Sequence, residues 1–232
     1  MSSEKDGSGR LYVVATPIGN LDDISARAID VLRSVDAIAA EDTRRTRKLL
    51  SRYEIGTPLV SHHEHNEDRA ARRVVERILG GHSVALVSDA GTPLISDPGY
   101  RLVRLAADEG IDVVAVPGPS AVTAALSVSG LPPLPFRFEG FLPRKKAARR
   151  RKLESLAGER ATLIFYVSPH RVGAVLSDLV ETLGDRPAAL ARELTKIHEE
   201  VRRAPLSELL DGAAERPPRG EIVVVVQGER SE

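Results

Sequence analysis

The sequence predicts an α/β protein made of two α/β domains with mostly parallel sheets. Short apolar runs of strand length alternate with longer stretches of helical periodicity along the whole chain. The early apolar runs end in loops of small residues and prolines, and a proline cluster at 131–135 interrupts the pattern near the middle. The first strand is read at 11–15. Ile24, Ala28, Val31, Leu32 and Val35 then share one helical face. A strand at 36–40, a helix at 43–52 and a short strand at 59–61 follow, then a helix at 67–79 closed by Gly80-Gly81. A strand at 84–87, a helix at 99–109, a strand at 112–116 and a helix at 119–129 complete this half. Beyond the prolines come a strand at 136–141, a helix at 144–156, a strand at 161–167, a helix at 170–183, a strand at 187–192, a helix at 206–215 and a strand at 221–227. The implied organisation is a polar, disordered tail at 1–10, an N-terminal domain at 11–130, a linker at 131–135 and a C-terminal domain at 136–232.

Composition bounds the function. The 232 residues can bury one large core or two small ones, and 42% hydrophobic with 28% charged residues is ordinary for a globular protein. There is no cysteine, which excludes disulfides, thiolate metal sites and a cysteine nucleophile. The formal net charge is zero, so affinity for nucleic acid has to come from local patches. Aromatic residues are only 3%, which argues against an aromatic base-stacking platform. The N-terminal residues lack the apolar core of a signal peptide, and the longest clear apolar run is 222–226, far short of a membrane span. A cytoplasmic location is expected, with no membrane or DNA partner.

Three strand-end loops carry the chemistry: TPIGN (16–20), SDAGTPLISDPGY (88–100) and PGPSA (117–121). In an open α/β sheet, ligands bind outside the carboxyl ends of the strands. A glycine such as Gly91 lets a ligand approach the backbone, and the prolines stiffen the loops. Ser120 and Ala121 stand where a loop becomes a helix and N–H groups lack partners. Three such loops suggest one shared crevice. Neither G-x-G-x-x-G in these loops nor a P-loop signature anywhere is present, so phosphoryl transfer loses its main support.

Together with AEDTR (40–44), HEHNE (63–67), EGFLPRK (139–145), TLIFYVSPHR (162–171), LARELTK (190–196) and GEIVVVVQG (220–228), these loops give the chain a resemblance to the RsmI family of 16S ribosomal RNA 2′-O-methyltransferases. That family belongs to the tetrapyrrole-methylase-like, class III superfamily of S-adenosylmethionine (SAM) enzymes. The resemblance covers roughly residues 11–228. It implies SAM held in a cleft between two α/β domains, a homodimer, and methyl transfer to the ribose 2′-oxygen of a cytidine in the decoding centre of the small ribosomal subunit. It also implies cofactor contacts from Ile18, Gly91, Thr92, Ile95, Ser120 and Ala121, and adenosine contacts from Tyr166, Ala191 and Gly220. Ser168-Pro169 departs from the Glu-Ser or near variant expected there, and position 168 receives no role.

Methyl transfer is an in-line displacement that needs alignment and help in removing the hydroxyl proton. Glu41 and Asp42 could accept that proton or orient the ribose, with Arg44 holding a phosphate. Asp42 could equally cap the next helix. His62, His63, Glu64, His65, Asn66 and Glu67 form the one histidine cluster. His63 is a candidate base. No metal site is expected, because H-E-x-x-H is absent and adjacent ligands converge poorly on one ion. The plain alternative is a polar loop whose Asn66 caps a helix. Arg144, Lys145, Lys146, Arg149, Arg150, Arg151 and Lys152 form the densest basic run, read as an RNA surface or else as a solvated helix. Glu193 and Lys196 could act at the cleft, or Arg192 and Glu193 could form a structural ion pair. Two rivals stay open: a methyltransferase of the same fold acting on a tetrapyrrole or a protein side chain, and a non-catalytic RNA-binding ribosome-assembly factor.

Overall fold

The computed structural model describes residues 9–63 and 67–229. The polar tail expected at 1–10 lies outside the described residues up to 8, while Arg10 already opens the first strand. The chain divides into one unit ending at Ser120 and a second beginning at Ala121.

The first unit holds β1 (Arg10–Val14), β2 (Ala37–Ala40), β3 (Leu59–Ser61), β4 (Val84–Val87) and β5 (Asp112–Val116) in the order β3-β2-β4-β1-β5. Every pairing is parallel. Its helices are α1 (Ala26–Ser34), α2 (Thr43–Arg52), α3 (Glu67–Leu79) and α4 (Tyr100–Asp108). The strands are apolar on both faces because helices cover both. Ile38, Ala40, Ala85 and Val87 pack with Ala28 and Leu32 of α1 and with Leu49 and Leu50 of α2. The alternate positions Ala39, Val84 and Leu86 pack with Val74 and Ile78 of α3 and with Leu102 and Ala106 of α4. The period of two along β2 and β4 thus sorts the side chains into two cores. The Ser25 hydroxyl caps α1, accepting from the Ala28 N–H at 3.1 Å.

The second unit contains α5 (Ala121–Ser129), β6 (Phe136–Phe141), α6 (Lys146–Glu154), β7 (Thr162–Val167), α7 (Val172–Leu183), β8 (Pro187–Arg192), β9 (Glu200–Pro205), α8 (Leu206–Glu215) and β10 (Ile222–Val226). The strand order is β6-β7-β10-β8-β9. Only β6 and β7 pair in parallel; β10 runs antiparallel to β7 and β8, and β9 antiparallel to β8. This corrects the expectation of a mostly parallel second sheet. The cause is β9, which the sequence reading missed. The short connection 193–199 reverses the chain after β8, so β9 and, through α8, β10 run against β6, β7 and β8. Each βα step still joins strands of one direction, as the alternation predicts.

Helix α5 lies against β8, β9 and β10 and belongs to the second unit. The proline stretch 131–135, expected as a linker, therefore lies inside that unit, between α5 and β6. The guanidinium of Arg203 on β9 donates to the Val128 carbonyl near the end of α5, with Nε at 3.0 Å.

A buried ion pair ties α6 to α7. Arg149, 4% exposed, donates through Nε to Asp178 at 2.6 Å, and Asp178 is 1% exposed. Arg150 donates to the other Asp178 oxygen at 3.1 Å and also meets Glu181. Lys152 reaches Glu139 at 2.6 Å. Removing Asp178 leaves the interior guanidinium of Arg149 without a carboxylate, while Arg150 keeps Glu181. Asp178→Ala should cost about 3–5 kcal/mol of unfolding free energy, whereas Arg151→Ala on the exposed face should cost less than about 0.5 kcal/mol. Urea denaturation of both variants checks the contrast.

Candidate functional site

The loops after β1, β4 and β5 meet at the carboxyl edge of the first sheet. Thr16 and Gly91 exchange backbone hydrogen bonds, N–H to carbonyl, at 2.8 and 3.0 Å, forming an antiparallel bridge outside the strands. The Thr16 hydroxyl donates to the Ser88 carbonyl at 3.2 Å, and the Ser88 hydroxyl to the Gly91 carbonyl at 3.1 Å. Thr92 Oγ1 donates to the Pro119 carbonyl at 3.2 Å, and the Ala15 N–H to the Val116 carbonyl at 3.1 Å. Gly91 has φ +85°, and a Cβ there would sit 3.4 Å from Ile18 Cγ2 and 3.8 Å from the Pro119 oxygen. A Cβ on Gly118 would come within 3.1 Å of that of Ala15. Ile18, Gly91 and Thr92 are thus brought together around bare backbone. Leu94 and Ser96 are held at φ 73° and 67°, and Ile95 is exposed between them. Ser120 closes the unit.

Beside these loops stands a group of carboxylates. Asp42 is the N-cap of α2: its Oδ1 accepts from the Arg44 N–H at 2.9 Å, and the Arg44 guanidinium grips both oxygens at 3.1 and 2.9 Å. These contacts hold the Asp42 carboxyl down at about 2. The capping and catalytic readings of Asp42 and Arg44 therefore compete for the same atoms, and a carboxylate this acidic is a weak proton acceptor. The Asp42 N–H donates to Asp89 Oδ1 at 3.0 Å, and Arg45 meets the other Asp89 oxygen at 3.3 Å. Asp97 differs. Burial, reinforced by the charges of Glu41 and Asp89, pushes it up to about 6, against the opposing hydrogen bond from Ser88. Sequence reasoning missed Asp97 as a candidate. Its aspartate was visible in the loop motif, but only its burial beside Glu41 separates it from its neighbours.

His62 follows β3, its N–H donating to the Ala40 carbonyl at 2.8 Å. It is 1% exposed, and neither ring nitrogen has a hydrogen-bond partner among the described residues. Burial lowers its pKa and favours the neutral ring. His63 is half-buried beside it. Glu64, His65 and Asn66, with the cap expected from Asn66, lie outside the described residues. Glu67 turns to structure: its carboxylate accepts from the Gly99 and Arg101 N–H groups at 3.0 and 3.4 Å, closing the start of α4. Among the described residues no group of three or more His, Asp or Glu is arranged to hold a metal ion.

In the second unit, Tyr166 on β7 and Ala191 on β8 both stand opposite Val223 of β10, forming one row across the sheet. Tyr166 packs edge-on against Phe138 and Phe141 at 4.8 and 5.5 Å between ring centres. Gly220 lies against Glu193, whose carboxylate accepts from the Glu221 N–H and from Lys196, each at 2.9 Å. Arg192 pairs with Glu200 at 2.7 Å, which corrects the expected Arg192–Glu193 pair. The basic run also divides. Arg144, Lys145, Lys146 and Arg151 are exposed, while Arg149 is buried and Arg150 and Lys152 are half-buried in ion pairs. Arg149 cannot meet a phosphate.

Residues 10–210 match the family described as Tetrapyrrole (Corrin/Porphyrin) Methylases. The Ribosomal RNA small subunit methyltransferase I of Xylella fastidiosa is 56% identical over 223 residues, covering 95% of this chain and 82% of that protein. The protein of the same name from Thermotoga maritima is 50% identical over 221 residues, covering 95% of this chain and 99% of its own. Among solved structures, a diphthine synthase superposes with a TM-score of 0.73 at 18% identity, covering 97% of this chain and 92% of its own, a likeness of fold alone.

The raised Asp97 carboxyl has a stability consequence. Its pKa is about 6 folded against an ordinary 3.8, so above pH 6 the native state bears the full cost of a half-buried charge. Below about pH 4 both states are protonated and the cost disappears. Asp97→Asn should stabilise the protein by about 1 kcal/mol at pH 8, allowing for the solvent that reaches the carboxyl. That advantage should fade as pH falls from 6 to 4, as thermal unfolding at each pH will register.

Proposed function

Since the chain belongs to the tetrapyrrole methylase family, and within it to the ribosomal RNA small subunit methyltransferase I family, we propose that it methylates the ribose 2′-oxygen of a cytidine in the decoding centre of 16S rRNA, using SAM. The observation that carries the reading is identity at half or more of the aligned positions over nearly the whole chain with proteins of that one name. Fold alone would leave the substrate open.

The first unit suits the cofactor. The bare backbone at Gly91 and Gly118 lets the loops pack closely against Ile18 and Ala15, and exposes main chain that a ligand can approach. Ile18, Gly91, Thr92, Ile95, Ser120 and Ala121 would hold the methionine part, with Tyr166, Ala191 and Gly220 contributing to the adenosine. When bound, SAM supplies an electrophilic methyl group on its sulfonium. The protein's own work is then alignment of the acceptor oxygen and removal of its proton.

Asp97 is the best-suited proton acceptor, because its pKa of about 6 leaves it ionised yet basic near neutral pH. Glu41 raises that basicity by its charge. Asp42 and Arg44 then act as a rigid support, and His63, half-buried after β3, is the alternative acceptor. Arg144, Lys145, Lys146 and Arg151 offer exposed charge to RNA phosphates. A homodimer in the cytoplasm completes the reading.

The test is methyl incorporation into small subunits lacking the modification, with ribose methylation mapped by mass spectrometry. Transfer to a base, to protein or to a tetrapyrrole would overturn it, as would binding of RNA and SAM without transfer. Asp97→Asn should lower kcat by about 10²-fold or more with SAM affinity nearly unchanged. The parent's rate should fall as pH drops through about 6, as stopped-time assays across pH 5–8 would reveal.

A further inference from the structure

The second unit contains a cavity of about 360 Å³ between the β8–β9 hairpin, α8 and the segment leading into β10. Its floor is apolar: Leu190, Leu209 and Ala213, with Pro217 and Pro218 as one wall. Leu190 and Arg192 point to this side of β8. Ala191 alternates to the opposite face, so the sheet separates the cavity from the Tyr166–Val223–Ala191 row.

Charge rings the opening. Arg192, Arg202, Arg216 and Arg219 face Glu200 and Glu215, a surplus of positive charge. Glu200 is gripped by Arg192 at 2.7 Å and Arg202 at 2.6 Å, which hold its carboxyl down at about 2. These two guanidinium groups are fixed in place by their shared carboxylate. The side chains of Arg216 and Arg219 have no hydrogen-bond or ion-pair partner among the described residues, and both are exposed at the rim. A chain poor in aromatic residues has here an alternative to aromatic stacking: an apolar shelf flanked by proline rings and planar guanidinium groups. The volume lies at the small end of ligand sites, enough for a single planar group with an anionic tail.

We propose that this cavity receives one unpaired nucleotide of the substrate RNA, its base on the Leu209–Ala213–Pro217 shelf and its phosphate between Arg216 and Arg219. The inference rests on the rRNA reading above and extends the RNA contact beyond the exposed face of α6. An acidic protein segment would satisfy the arginines but leave the apolar shelf unused.

The test uses the full chain and a single-stranded RNA hairpin of small-subunit sequence, with fluorescence anisotropy across a salt series. R216A/R219A should weaken binding at least tenfold near 0.1 M salt and reduce the log–log salt slope by about 0.7, the share of one phosphate, with SAM affinity by calorimetry unchanged. Ala213→Phe, which fills the cavity and keeps every charge, should weaken binding with the slope intact. Parent-like RNA binding by both variants overturns the inference while leaving the rRNA reading standing. Loss of affinity for a polyglutamate peptide, without loss for RNA, also overturns it. A parent chain that neither binds nor methylates small-subunit RNA defeats the rRNA reading, and this inference with it.

Discussion

The reciprocal pair of hydrogen bonds between Thr16 and Gly91 fixes the working edge of the first unit. Each bond is worth only about 0.5–1.5 kcal/mol net. Their importance lies in position. They join the loops after β1 and β4 at the point where the sheet ends and helices have not begun, and the hydroxyls of Thr16 and Ser88 satisfy further carbonyls of the same turn. Held in this way, residues 94 and 96 keep a backbone conformation that side chains normally avoid, and Asp97 is carried into partial burial beside Glu41. The glycine-lined loop cluster and the raised Asp97 carboxyl are thus two outcomes of one backbone clamp.

Much of this was legible in the sequence, for physical reasons. The first sheet is buried on both faces, so its strands read as plain apolar runs, and the loops between them announce themselves through glycine and proline. Strand β9 did not read that way. Its sequence, Glu200-Val201-Arg202-Arg203-Ala204-Pro205, is an edge strand whose arginines pair with Glu200 and donate to the Val128 carbonyl. An edge strand can carry charge where a central one cannot. Missing it meant missing the reversal of the second sheet. Arg149 was misread for a related reason. A run of basic residues looks uniform in sequence, and only the acid at position 178, far along the chain, decides which member turns inward.

That last point bears on how a chain of zero net charge can serve an anionic partner. Its positive groups are not uniformly available. Asp42, Asp178, Glu139 and Glu200 each engage one or more of them in fixed geometry. What remains exposed includes the outer face of α6, the rim formed by Arg216 and Arg219, and Arg47, Lys48, Arg69, Arg72 and Arg73 on α2 and α3. With acidic residues equal in number to basic ones, the whole molecule avoids the indiscriminate stickiness of a strongly basic protein.

The strand order of the first unit has a consequence for how the protein is made. Strand β1 lies inside the sheet, between β4 and β5, and its neighbours lie some seventy and a hundred residues downstream. Contacts of such long separation slow folding, because a large loop must close before they return any stabilisation. On the ribosome, β1 stays without its sheet partners until residue 87 has emerged, and its second edge stays open until residue 116. The nascent chain therefore carries an unpaired apolar segment over some seventy residues of synthesis, a stage at which holdase chaperones would find a target.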